Sequence, residues 1–85
     1  MKKVKFSAIE QNNSFKVSRA IGSIEEQMRP HLSDRSAFLM IEKGAIQFNL
    51  DGEGSFLKKN DTISIPKDKV HSFEVIEPCE VILTL

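Results

Sequence analysis

The chain has one cysteine, Cys79, which excludes an internal disulfide. A single thiol fits a reducing compartment. There is no Trp and no Tyr, and six Phe are the only aromatic residues. These Phe fall at strand parity without basic neighbours on the same face, which excludes a stacking platform for RNA. Net charge is absent as well: 12 basic residues balance 12 acidic ones. No strong field draws nucleic acid or an anionic membrane. The lysines at Lys2, Lys3, Lys5, Lys58, Lys59, Lys67 and Lys69 are interspersed with acids and read as solvated positions. No apolar run approaches the ~20 residues that a membrane helix needs. The basic start Met1-Lys2-Lys3 is not followed by the apolar stretch of a signal peptide. The expected address is the cytoplasm, with no nucleic acid bound directly and no membrane partner. G-x-S-x-G, the Walker-type G-x-x-x-x-G-K, G-x-G-x-x-G and C-x-x-C are all missing. Heptads and internal repeats are missing too.

What is present is 85 residues, 40% apolar and 28% charged. That is the make-up of an ordinary globular chain and the length of one domain, 1–85, with a modest core. The pattern is short strands separated by turns. Val4 to Ile9 reads as an edge strand guarded by lysines, with Val4 and Phe6 on one face. Gln11 to Ser14 is a turn. In Phe15 to Ile21, the residues Phe15, Val17, Arg19 and Ile21 share a parity. Arg19 either reaches a ligand at the mouth of a barrel or pairs with a carboxylate at the rim. Gly22 to Arg29 reads as loop with at most one helical turn. Ser23 to Glu26 matches a capping box there, and Pro30 would end any helix at Arg29.

Ala37 to Lys43 is a strand apolar on both faces. With Leu39 and Ile41 inward, Phe38 and Met40 face out. Lys43-Gly44 then turns the chain. Ile46, Phe48 and Leu50 point in, while Gln47 and Asn49 point out. Asp51-Gly52 is a hairpin signal, because it readily supplies positive φ. Leu57 faces Ile46 or Phe48, and Phe56 is on the outer face. Thr62 to Ile65 alternates, Pro66 stops it, and Lys67 to Lys69 is a polar turn. In Val70 to Ile76 the residues His71, Phe73 and Val75 share a face. A histidine there is either a buried neutral imidazole held by a hydrogen bond or a pocket-lining group. Glu77 to Glu80 makes a last turn, and Val81 to Leu85 a last strand. Many short strands with almost no helix predict a sandwich or barrel.

Asn60 to Val75 resembles the second signature motif of the cupin family: Gly, five residues, Pro, one residue, Gly, two residues, His, three residues, Asn. In this sequence those positions hold Asn60, Pro66, Asp68, His71 and Val75. Counting back from Gly44, the first cupin motif (His, one residue, His, three or four residues, Glu, six residues, Gly) places its Glu on Ala37 and, with the three-residue spacing, its histidines on Ser33 and His31. The resemblance covers roughly 30–85, with 1–29 as N-terminal strands and loop. It implies an all-β, small single-domain jelly-roll barrel.

It also implies a site. His31, Ser33 and His71 would converge inside the barrel with Leu39, Ile41, Phe48 and Phe73 as apolar lining. The ligand-binding candidates are therefore His31, Ser33, His71, Arg19, Phe48 and Phe73. Only His31 and His71 remain of the four usual metal ligands. The expectation is no cofactor or a weakly bound divalent metal, with Gln27, waters or an external ligand needed to complete the shell. Three function classes follow from the resemblance. A small-molecule binding or sensor module is favoured by the missing ligands. A metal-dependent enzyme of dioxygenase or isomerase type needs the ligands this chain lacks. A stand-alone relative of the effector-binding arm of arabinose-regulator type transcription factors is supported by Val70 to Glu74 and Ile41 to Gly44; no helical segment for DNA binding follows the barrel. Phe38, Met40 and Phe56 on outward parity predict a homodimer, unless residues from Val4 to Ile21 cover them.

Overall fold

The computed structural model describes the backbone of residues 2–85 and, within it, every side chain except those of Lys2 and His31. All regular structure among the described residues is strand. In chain order the strands are β1 (Lys2–Lys3), β2 (Lys5–Gln11), β3 (Lys16–Gly22), β4 (Glu26–His31), β5 (Ala37–Leu50), β6 (Glu53–Lys58), β7 (Thr62–Ile65) and β8 (His71–Thr84). Among the described residues no helix is long and apolar enough to cross a membrane.

The spine is the antiparallel pair β5–β8, registered from Phe38 opposite Thr84 to Leu50 opposite His71. Both strands pass from one layer of the fold to the other without stopping. Before the corner β5 pairs with β7, and after it with β6. The early part of β8 pairs with β4 and the later part with β3. One layer therefore runs β2–β3–β8–β5–β7 and the other β1–β4–β8–β5–β6. This is the jelly-roll arrangement, with the core between the layers.

The corner is where two expected turns fail. Lys43-Gly44 does not reverse the chain; it bends β5, and Glu77 to Glu80 bends β8 opposite it. Register shifts accumulate between Ile41 and Ile46, with Lys43 opposite Glu80 and Ala45 opposite Glu77. Pro78 and Cys79 thus face Gly44 as a bulge, where the N–H that Pro lacks is not needed. Gly44 has φ +75, and a Cβ there would lie 2.8 Å from Cys79 Cα and closer still to the Pro78 carbonyl oxygen. Glycine is required on both counts.

The inward face of β3 also differs from the expectation. Ser18, Ala20 and Gly22 are buried, while Arg19 and Ile21 are exposed, Ile21 at 70%. Small residues occupy the inner face because the neighbouring strands lie close: a Cβ on Gly22 would meet Val75 Cγ2 at 2.7 Å. Ser23 to Glu26 is a tight turn rather than a helical start. Glu26 N–H donates to the Ser23 carbonyl at 3.0 Å, and Ser23 N–H to the Glu26 carboxylate at 2.6 Å. Glu25 at φ 78 is incompatible with a helix. β4 then forms where loop was expected. Pro30 sits within its register shift between Met28 and His31, the kind of break that tolerates proline.

Elsewhere the alternation holds. Leu39, Ile41, Ile46, Phe48, Phe73 and Val81 are fully buried and form the centre of the core. Each such side chain contributes on the order of 1.5–3 kcal/mol. The Asp51-Gly52 hairpin has φ 50 and 87, as a two-residue turn between twisted strands requires. Asn60 (φ 75) and Asp68 (φ 63) are left-handed without being glycine. Both residue types tolerate that region. They occupy the two glycine positions of the motif, so its backbone shape survives the change of residue.

Candidate ligand cleft

Four inward side chains leave space between them. Val4 lies where β1 passes into β2, and Phe6 follows on the same face of β2. Met28 comes from β4, opposite Phe73, and Leu83 from β8, opposite Leu39. Phe6, Met28 and Leu83 are partly buried and pack against the core. Together the four line an open cleft of about 310 Å³, with Lys3, Gln27, Arg29 and Pro30 completing its wall. That volume is at the lower end for small-molecule sites. The cleft exists because β2 and β4 meet only through the short parallel pairing of β1 and the bond from Val4 N–H to the Gln27 carbonyl, 3.0 Å. A larger groove of about 470 Å³ lies over the outer faces of β2 and β3, between exposed side chains such as Ile9 and Ile21.

The candidates drawn from the sequence do not gather at this cleft. His71 is buried at the start of β8. Its Nδ1 lies 3.1 Å from the Lys69 carbonyl, so Nδ1 carries the proton and donates it. The imidazole stacks on Phe48, with centroids 6.4 Å apart and planes at 23°. The ring is thus oriented by a backbone carbonyl and an aromatic face. His31 lies opposite His71 in the β4–β8 register; its side chain is outside the described residues. Ser33 follows β4, and its hydroxyl accepts from Arg35 N–H at 3.2 Å. The Ser33 carbonyl accepts from Asp68 N–H at 2.8 Å, so the residue ties two loops together. Phe48 and Phe73 fill the core.

Arg19 points outward from β3. Its Nε is 3.1 Å from Glu80 Oε1 and 3.6 Å from Glu42 Oε1, and Lys43 Nζ is 3.7 Å from Glu80 Oε2. Glu42 Oε1 is shielded from solvent and has no hydrogen-bond partner; at 3.6 Å the Arg19 charge acts on it electrostatically. Of the two roles open to Arg19, the structure shows the carboxylate pair.

The divalent metal that the cupin resemblance implies would be a poor fit to the donors here. Ala37, buried at the Glu position, offers no donor atom, and the Ser33 hydroxyl is engaged locally. Among the described residues no three His, Cys, Asp or Glu side chains converge. Cys79 is buried and its thiol is pushed above the ordinary 9.0, first by loss of solvent and then by Glu26, against a lowering hydrogen bond with the Gly22 backbone. Missed by the sequence reading were Met28 and Leu83 as cleft residues. Met28 lay in a segment read as loop, and Leu83 in a strand read only as the last of the fold.

The matching family profile is the AraC-like ligand binding domain, over residues 19–82. The chain belongs to this family. Solved cupin structures place the AraC-like ligand binding domain in its fold. An RmlC-like cupin from Shewanella frigidimarina superposes with a TM-score of 0.90 at 17% identity, over 95% of this chain and 73% of that one. KdgF from a Halomonas species gives 0.87 at 19%, over 95% and 76%. An RmlC-like cupin with a double-stranded β-helix from Methanocaldococcus jannaschii gives 0.85 at 20%, over 99% and 80%. Comparison with curated protein sequences finds no match. At these identities the neighbours establish the cupin fold of this AraC-like domain and nothing about its ligand.

Proposed function

We propose that the chain is a small-molecule binding module, used as a sensor or carrier, that holds its ligand in the cleft between Val4, Phe6, Met28 and Leu83. The observation that carries this is an apolar recess opening on the inner face of the barrel in a member of a ligand-binding family. A fragment library screened against methyl-labelled protein tests it. Hits should move the methyl resonances of Val4, Met28 and Leu83 together, and Met28→Trp should abolish them while leaving the dispersed spectrum of a folded barrel. Hits that move only outer-face methyls such as Ile9 and Ile21 would reject the assignment.

Any divalent metal is bound weakly through His31 and His71, because Ala37 and Ser33 supply too few donors for a tight site. Elemental analysis of protein purified without added metal should find well under one equivalent. A stoichiometric ion lost on His71→Ala would revive the enzyme reading. A cytoplasmic address accompanies this function, on the strength of the lone thiol.

The working form is a homodimer joined through the outer face of the β2–β3–β8–β5–β7 layer. Phe38 (45% exposed) and Met40 (36%) lie there, with Met40 opposite Ile82. β2 and β3 extend this layer rather than covering it, which supports a cover supplied by a second copy. Phe56 is more exposed still but belongs to the other layer, opposite Gln47, and is not part of this face. Light scattering should report a dimer that Met40→Glu converts to a folded monomer.

A further inference from the structure

The wall of the cleft is charged in one sense only. Among the described residues its polar members are Lys3, Arg29 and Gln27, with no carboxylate side chain beside them. The chain as a whole balances 12 basic against 12 acidic residues, so this local excess is not inherited from composition. The interior below is hydrocarbon and thioether: Val4, Phe6, Met28, Leu83. A bare inorganic anion would leave that interior unused, and a sugar would set hydroxyls against side chains that cannot bond them. A volume of about 310 Å³ equals roughly ten waters at ~30 Å³ each, which suits a compact molecule rather than a long chain.

Resting on the cleft as the ligand site, we propose that the ligand is a small amphipathic carboxylate. Its apolar body lies against Phe6, Met28 and Leu83, and its carboxylate meets Arg29 and Lys3 at the wall. Arg29 offers a planar fork matched to a carboxylate, Lys3 a second positive charge, and Gln27 an amide donor. Binding should weaken as salt rises, because this wall is open to solvent.

Three probes with one phenylpropyl skeleton test this by NMR titration: phenylpropanoate, phenylpropanamide and phenylpropylamine. The carboxylate should bind about tenfold more tightly than the amide, the scale of one charge-assisted hydrogen bond, and the amine most weakly. Arg29→Gln with Lys3→Gln should erase the preference for the carboxylate over the amide, while the dispersed spectrum of a folded barrel is retained. Equal binding of carboxylate and amide to the wild type would overturn the anion assignment and leave the cleft as the ligand site. A preference for the amine would overturn it likewise. If none of the three moves the Val4, Met28 and Leu83 resonances, the cleft assignment itself fails, and the anion assignment with it.

Discussion

Replacing Gly44 by alanine tests the corner that makes this chain a two-layered barrel. Two costs add there. At φ +75 an L-residue pays about 1–2 kcal/mol for the left-handed backbone. The new methyl also sits 2.8 Å from Cys79 Cα and nearer to the Pro78 carbonyl oxygen. Those atoms are backbone inside a paired strand, so β8 must shift, and overpacking of this kind costs about 1–3 kcal/mol. Gly52 is the internal control. Its φ is +87, but a Cβ there meets nothing within 4 Å. Gly52→Ala therefore carries the backbone cost alone, reduced by the ~0.4–1 kcal/mol that alanine removes from the unfolded chain's entropy. The expected loss is about 3 kcal/mol for Gly44→Ala and about 1 kcal/mol or less for Gly52→Ala. A chain of 85 residues has roughly 4–13 kcal/mol to lose. At ~4–8 °C per kcal/mol, Gly44→Ala should lower Tm by more than ~10 °C. The chain has no Trp or Tyr, so urea and thermal transitions are followed by far-UV circular dichroism, at one protein concentration because of the proposed dimer. Equal losses at the two sites would refute the close packing of Gly44 on Pro78.

Three further outcomes follow. Phe48→Ala should cost about 3–5 kcal/mol, since the side chain is fully buried and stacks on His71; its denaturation midpoint checks this. Because the folded state holds the Cys79 proton more tightly than the unfolded chain does, stability should be unaffected by this group below pH 9.0 and fall as pH rises above it, by up to about 1.4 kcal/mol per unit; Cys79→Ala should remove that part of the slope in paired urea titrations, and thiol reagents should label native Cys79 only through opening of the fold. Asn60→Gly should leave stability within about 0.5 kcal/mol, whereas Asn60→Val should cost about 1 kcal/mol or more, because a β-branched residue is a poor occupant of φ 75; thermal melts of the pair decide it.

The alternation of Val4 and Phe6, of Ile46, Phe48 and Leu50, and of His71, Phe73 and Val75 identified the faces of three strands correctly, because the side-chain period of a strand is local. Asp51-Gly52 and the spacing from Asn60 to His71 were equally legible, since turn chemistry depends on the φ that individual residues tolerate. Where large apolar residues misled, the decision was tertiary. Ile21 and Val17 look like the core face of β3, yet Ser18, Ala20 and Gly22 hold it, because neighbouring strands come too close for anything larger. Gly44 and Pro78 each signal a turn in isolation; only their mutual approach makes them one corner of two unbroken strands. The cleft was invisible for the same reason. Val4 with Phe6, Met28 and Leu83 come from three separate stretches of chain, and no sequence pattern links one stretch to another. The space between them exists only where the pairing of β1 with β4 brings the N-terminal strand across the mouth of the barrel.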